Sequence, residues 1–499
     1  MDLQHLMRQC SFVSRDNPLT LFAALAGIVT VRLVAGVPIV GGKDTATIKQ
    51  NRLRFVHDGK RMLQEGYQAT NGGLYYVPSK LGERLMLPTK YLEELKSAPM
   101  HEVDFVATFI EMFEGKYTTM GSRSTLHPRV VRSQLNKNLW TVMEHVQEEV
   151  SDVFDASFPA CDDWTEVDVV DRITHIVARV SSRMFGGTTL SRNEDWVQSS
   201  IDFATDGFIG AQALKKYPEW FKPIAARFIP AIQNIKKHYE NAEKAAIPIL
   251  EERARTGATA PDLLSWMDDD AKGTEKDPEF LAGILLKVSF AAIHTSAAVP
   301  TQLLYDLCAM PEYIEPLRQE IADNTDPNGV ISRQGFQNLS KLDSIMKESQ
   351  RFNPLLLITF ERVVTTDYAL SDGLVIPANT TIGIPTHAIS MDAALYPEPE
   401  KFNGFRFHDL QKEKDSGEKG PPVVYATSHP SSMAFGYGRH ACPGRFFASA
   451  EIKAIMAYLI RNYDFKFPQD RQDRPPSLLF ETQNLPNPTG RVMFKRRTL

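Results

Sequence analysis

The stretch "FGYGRHACPGRFFASAE", Phe435 to Glu451, sets one cysteine, Cys442, between a glycine-rich turn and a run with helical spacing. Most free cysteines are small buried hydrophobes, but this one has unusual surroundings. Gly436, Gly438 and Gly444 leave out side chains around the thiol, so backbone can come close to a bulky flat object. Pro443 suits the first turn of a helix, and "RFFASAEIKAIMAYLI" (445–460) continues at helical period. A thiol at a helix N-terminus meets the positive end of the dipole and free amides, and both favour thiolate. Cys10, Cys161 and Cys308 lie far off in sequence, with no CxxC pair and no zinc-like spacing. A metal held here by one thiolate must bring most of its own ligands, and a haem iron with one axial cysteine meets that requirement.

The stretch resembles the haem-binding signature of the cytochromes P-450: Phe, two residues, Gly, one residue, Arg or His, one residue, Cys, one residue, Gly. Phe435, Gly438, His440, Cys442 and Gly444 fill it, and Ala448 matches the small residue that follows. The resemblance implies a mainly α fold with small β-sheets and Cys442 as axial ligand to the iron of haem b. Phe435 would pack on the thiolate side, and His440 would reach a haem propionate. The commoner residue there is Arg, so this contact would depend on the imidazole's protonation. Arg439 and Arg445 would share the role or face a redox partner.

The same resemblance singles out companions. Glu348 and Arg351 stand in "ESQR", followed by "FNP", and share a helix face. Arg406 stands in "EPEKFNGFRF". Together they would form a structural triad that locks the cysteine loop to the core. Glu252 with Arg255 and Glu315 with Arg318 have the same spacing and read as solvated surface pairs. Arg132 in "HPRVVRSQL" and Arg362 in "LLLITFERVV" are the candidates for the propionates. Leu356, Leu357 and Ile358, with Leu485 near the C-terminus, would face the substrate, an apolar lining suited to a bulky hydrophobic molecule.

"EFLAGILLKVSFAAIHTSAAVPTQLLYDL" (279–307) reads as the long apolar helix on the opposite side. Ala291 and Ala292 allow close approach to a flat cofactor, and Pro300 denies the Ser296 carbonyl its helical donor, predicting a kink. Thr295 would handle protons at bound dioxygen, or bond back to its own chain as mid-helix threonines do. His294 stands where the family usually has an acid. It, or a water chain, would deliver protons, or it is a neutral packing histidine.

The resemblance covers nearly the whole chain and is similar to fungal microsomal enzymes of secondary metabolism, the kaurene oxidases and indole-diterpene oxidases among them. It implies a monooxygenase that uses dioxygen and electrons from NADPH through a cytochrome reductase. The substrate would be a hydrophobic terpenoid or indole alkaloid. A haem–thiolate isomerase or peroxide-driven oxidase needing no reductase is the alternative within enzymes; a non-catalytic haem carrier is the alternative outside them.

The rest of the chain agrees with a globular enzyme. Its 499 residues are 43% hydrophobic and 23% charged, and the net charge of −5 argues against nucleic acid as a partner. Helical spacing predicts helices over 139–154, 169–185 and 231–255. Residues 359–385 read as short hairpins, 411–424 as a polar loop and 477–497 as a closing hairpin. "LTLFAALAGIVTV" (19–31) is charge-free and, with Arg32 snorkelling, reaches spanning length; a cleaved signal peptide is the other reading. Lys43, Lys49, Arg52, Arg54 and Lys60 follow it, against Arg8 and Arg15 before. That asymmetry places the following domain in the cytosol, with the anchor in the endoplasmic reticulum membrane. The expected organisation is an anchor and "GVPIVGG" hinge over 1–40, then one haem-binding catalytic domain over 41–499.

Overall fold

The computed structural model describes residues 33–415 and 423–498. In chain order, the helices that frame the site are α1 (Thr45–Ala69), α2 (Phe105–Met112), α3 (Leu139–Ser157), α4 (Val169–Ser191), α5 (Glu194–Leu214), α6 (Pro230–Thr256), α7 (Pro278–Ala309), α8 (Ser340–Phe352) and α9 (Arg445–Asn462). The helices read from 139–154, 169–185 and 231–255 are α3, α4 and α6. Helix α4 continues past the stretch read as helical, but Gly186 and Gly187 leave helical dihedrals before it resumes. Asp277 caps α7 by accepting from the Glu279 amide at 3.2 Å, and Pro278 occupies its first position.

Helix α7 runs through the largest hydrophobic cluster and packs on α4, α5, α6, α8 and α9. Among the described residues it alone is long and apolar enough to cross a membrane, and it is the buried central helix. It stays helical through Pro300, so the expected kink is not a break in the helix.

The strands are β1 (Tyr75–Ser79), β2 (Gly82–Met86), β3 (Val103–Asp104), β4 (Thr165–Asp168), β5 (Thr359–Val364), β6 (Tyr368–Ala369), β7 (Val375–Ile376), β8 (Thr380–Ile384), β9 (Tyr463–Lys466), β10 (Leu478–Phe480), β11 (Gln483–Leu485) and β12 (Arg491–Arg496). Residues 359–385 form the expected hairpins, with β5 antiparallel to β8 and β6 to β7. The main sheet has the order β1-β2-β8-β5-β3. The predicted closing hairpin over 477–497 divides in two. Strands β10 and β11 pair with each other, whereas β12 joins β4 and β9 in a separate sheet. Residues 411–415 of the predicted polar loop belong to a helix, Arg406–Asp415.

The boundary drawn at residue 40 falls inside packed chain. Val37, Ile39 and Val40 are buried, and the Val40 amide donates to the Tyr76 carbonyl at 2.9 Å while the Tyr76 amide donates to Pro38 at 2.8 Å. The hinge glycines do bend the backbone, with Gly36, Gly41 and Gly42 at φ 79, 84 and 120°. The apolar segment 19–31 lies outside the described residues.

Candidate active site

The loop before α9 is a tight, self-bonded turn. The Cys442 amide donates to the Phe435 carbonyl at 2.8 Å, and the Ser428 hydroxyl donates to the Gly436 carbonyl. Gly436 and Gly438 sit at φ 71 and 68°, where a side chain is strained. At Gly438 an added Cβ would also lie 2.5 Å from the Lys96 Cβ. Helix α9 starts at Arg445 with Gly444 as N-cap, so Pro443 precedes the helix rather than lying in its first turn. The backbone of Gly444 and Arg445 and the Arg445 side chain act on the Cys442 thiol in the direction that favours thiolate. Burial outweighs them and pushes the thiol up, contrary to the expectation from the helix terminus alone. A cation at the sulfur is what would hold this group ionised.

Around the loop stand positive groups without counter-ions. Arg132 donates to the Arg439 carbonyl at 2.8 Å, Arg439 to the Ala98 carbonyl at 3.0 Å, and Arg362 to the Glu361 carbonyl at 2.7 Å. Among the described residues none of the three guanidinia forms an ion pair. Arg362 lies over the Phe360 and Phe105 rings, 4.2 and 4.7 Å from their centroids. Burial, then Arg439, lowers its pKa to about 9. His440 stacks on Phe105 with centroids 5.1 Å apart, and its Nε2 is buried without a partner. Burial, then Arg362, Arg439 and Arg132, lowers His440 to about 4, so the imidazole is neutral near pH 7. Such a set lacks an anion, and a flat group carrying carboxylates would supply it. Phe105 escaped the sequence reading, since nothing in its local pattern marks it as a partner of His440, over three hundred positions away.

The predicted triad assembles. Arg351 forms a fork onto Glu348, with Nε and Nη2 each 2.9 Å from a carboxylate oxygen. Its Nη1 donates to the carbonyls of Ser390 and Pro399 at 2.8 and 2.7 Å. Arg406 reaches Glu348 at 3.2 Å and the Pro397 carbonyl at 2.7 Å. Glu348 is 0% exposed. Of the look-alikes, Glu252 and Arg255 form an exposed pair, whereas Arg318 is half-buried and also holds the Ile460 and Tyr463 carbonyls.

Between Leu281 and Cys308 of α7 only Ala291 and Thr295 are exposed. They are spaced i,i+4, so they open one face of an otherwise buried helix. The Thr295 hydroxyl donates to the Ala291 carbonyl at 2.7 Å. His294 turns to α5, its Nε2 donating to the Ile201 carbonyl at 2.9 Å. Burial lowers its pKa, which keeps the ring neutral. This contact favours packing over relay.

The residues expected to face the substrate differ in burial. Leu356 and Leu485 are half-buried, but Leu357 and Ile358 are 0% exposed and pack with Phe55, Met62 and Tyr75 under the main sheet. The Leu357 amide donates to Thr482 at 2.7 Å and the Asn484 amide to Leu355 at 2.9 Å, fixing which side chains turn inward. Two aromatic contacts join helix α7 and helix α5 to other segments: Phe113 stands edge-on to Phe290 of α7 at 5.3 Å, and Phe208 of α5 to Phe480 at 5.4 Å.

Comparison with known proteins agrees with this geometry. A family model described as cytochrome P-450 matches residues 99–494. The chain is 37% identical over 470 residues to the cytochrome P-450 monooxygenase braC of Annulohypoxylon truncatum, covering 92% of each. It is 35% identical to the cytochrome P-450 monooxygenase olcJ of Penicillium canescens, over 89% of this chain and 85% of that one. It is 34% identical to the ent-kaurene oxidase of Gibberella intermedia, over 90% of this chain and 85% of that one.

Proposed function

This chain belongs to the cytochrome P-450 family, as a monooxygenase, and from that premise we propose that Cys442 is the axial thiolate of its haem iron and that the substrate is a bulky hydrophobic metabolite. The observation that carries the reading is the ring of unpaired guanidinia, Arg132, Arg362 and Arg439, beside a glycine loop that presents one thiol. Those cations suit two propionates, with neutral His440 offering a hydrogen bond rather than a charge. The haem iron, when bound, supplies activation of dioxygen and oxygen transfer to carbon.

The chain's own side chains do the rest. The Cys442 sulfur, flanked by the amides of Gly444 and Arg445, donates electron density. Phe435, held edge-on by Tyr425 at 5.3 Å, keeps water from the sulfur. Glu348, Arg351 and Arg406 hold the chain that leads into the loop. Thr295 presents a hydroxyl on the open face of α7, where it directs a proton by letting go of the Ala291 carbonyl. Phe208, Phe290 and Phe480 would offer apolar surface to a terpenoid or an indole alkaloid. The kinship with ent-kaurene oxidase supports the terpenoid class. Electrons come from NADPH through a reductase. The apolar run 19–31 anchors the enzyme in the endoplasmic reticulum membrane, with the catalytic domain facing the cytosol.

The test is the reduced, carbon-monoxide-bound spectrum. Cys442→Ala loses the red-shifted thiolate band, whereas Cys161→Ala and Cys308→Ala keep it. Retention of the band in Cys442→Ala would end this assignment. Turnover of diterpene hydrocarbons that requires both NADPH and a reductase tests the substrate class and the electron source.

A further inference from the structure

We infer that Lys287 anchors the substrate by an anionic group, so that the hydrophobic molecule this enzyme oxidises carries a carboxylate at the end remote from the oxidised carbon. The inference rests on the functional reading above and narrows its substrate class.

Lys287 is the only Lys, Arg, Asp or Glu between Glu279 and Asp306 of α7. Every residue from Leu281 to Leu286 is buried, so the helix first opens at Lys287, which is half-buried. There a ridge begins: Lys287, Ala291, Thr295 and Val299 recur at i,i+4, and none of the four is fully buried. Lys287 therefore shares the open face that presents the Thr295 hydroxyl. Tyr239 of α6 closes the ridge at its N-terminal end, where a Cβ added to Gly283 would lie 3.1 Å from the tyrosine ring. The Tyr239 hydroxyl in turn sits 3.0 Å from that of Thr119.

Among the described residues Lys287 has neither an ion pair nor a hydrogen bond. No acid acts on its ionisation; burial alone does, and lowers its pKa. Its charge reaches His127, at the head of the short helix Leu126–Val130. Burial, then Lys287, lowers this imidazole to about 4, so the ring is neutral near pH 7. The His127 Nδ1 is buried without a partner. A half-buried cation left alone is unfavourable, and a ligand anion is its complement. One ammonium beside one neutral ring suits a monoanion: Lys287 supplies the charge, and an imidazole N–H can supply a second hydrogen bond.

Placement on the ridge sets the register of the ligand. Two turns, about 12 Å along the axis, separate Lys287 from Thr295. Helical side chains lean toward the N-terminus, which carries the long lysine stem away from Thr295 rather than toward it. An apolar skeleton lying along the ridge would have its acid at Lys287 and its far end at Thr295. Such a lone polar contact in an apolar site fixes orientation. A hydrocarbon of the same skeleton would still enter, but would leave the ammonium unpaired and bind more weakly. Lys287 binds substrate and takes no part in the oxygen step.

The experiment uses the haem-loaded full chain and the variants K287Q, K287M, K287R and H127A. The probes are abietic acid with its methyl ester, and lauric acid with methyl laurate. Calorimetry gives dissociation constants without turnover. The parent should bind the acid of at least one set on the order of 10- to 100-fold more tightly than its ester, between the worth of an exposed and of a buried ion pair. K287Q should erase that preference by weakening the acid while leaving the ester unchanged, and K287R should keep it. H127A should weaken the acid less than K287Q does; the reverse order would take the anchor from Lys287. The inference fails if the parent prefers neither acid. It also fails if K287Q retains the preference, or weakens acid and ester alike as the loss of a merely structural lysine would. Should K287Q load no haem, K287M, which keeps the stem and lacks the charge, decides by the same criterion. A Cys442→Ala protein that kept its thiolate spectrum would overturn the haem reading while leaving the parent's acid preference intact, so the two failures are distinguishable.

Discussion

Arg351→Ala should be close to the limit of what the fold tolerates. The guanidinium makes two bonds to Glu348 at 2.9 Å, and one each to the Ser390 and Pro399 carbonyls at 2.8 and 2.7 Å. Glu348 is 0% exposed, so truncation leaves a buried charge with Arg406 at 3.2 Å and the Asn403 amide at 3.0 Å. Removing one partner of a buried pair costs about 3–5 kcal/mol. Each abandoned carbonyl adds about 1 kcal/mol or more. The sum, roughly 5–7 kcal/mol, rivals the whole stability of about 5–15 kcal/mol of a typical protein. Arg351→Lys keeps a charge but not the fork, and should lose about 2–4 kcal/mol, between the exposed-pair and broken-pair limits. Arg255→Ala is the control: its pair with Glu252 has both side chains more than half exposed, and should matter by no more than about 0.5 kcal/mol. Urea unfolding followed by circular dichroism, with haem absorbance per protein, measures all three. An Arg351→Ala protein within about 1 kcal/mol of the parent, below the cost of a single unpaired buried group, would refute this role for the guanidinium.

Thr295→Ala should bind haem normally but release peroxide in place of product, and Thr295→Ser should restore coupling; equal coupling in all three proteins would remove the hydroxyl from proton handling. His294→Ala should lose about 1–2 kcal/mol through the Ile201 contact and keep its coupling, checked by product formed per NADPH. Glu451 has its pKa raised from 4.5 to about 8, so its contribution is complete below about pH 4.5 and fades as pH rises through about 8. Relative to Glu451→Gln, the parent should therefore lose up to about 1.4 kcal/mol per pH unit across that window, and a pH-independent difference in urea midpoints would contradict it. Deleting residues 1–32 should move the enzyme to the soluble fraction with haem retained. Deleting 1–42 should also cost several kcal/mol, because Val37, Ile39 and Val40 leave the core.

The helices were legible because their apolar spacing is local, whereas the break at Gly186 and Gly187 inside α4 went unread. The cysteine loop was legible because glycine, proline and thiol are constrained by neighbours a few residues away. The triad came from the family resemblance, because the spacing of Glu348 and Arg351 is shared by Glu252 with Arg255 and Glu315 with Arg318. Misreadings fell where a partner is distant. Strand β12 was taken for half of a hairpin, but its partners are β4 and β9, the former over three hundred residues earlier. Leu357 and Ile358 read as cavity wall because apolar residues look alike whether they face a core or a ligand.

By itself the sequence determined the class of molecule: an α-rich chain with one thiol poised before a helix, and a long apolar helix with Thr295 at its interrupted turn. Those properties depend on bonds between residues close in the chain, where geometry follows from residue type. Tertiary structure alone decided what each polar side chain meets. It turned His294 toward Ile201, stacked Phe105 on His440, left Arg132 and Arg362 without an ion pair among the described residues and buried Glu451 with the Ser181 hydroxyl on its carboxyl. It also reversed the expectation for the Cys442 thiol, because desolvation depends on everything packed around the sulfur, whereas the helix terminus that favours thiolate is visible in the local sequence.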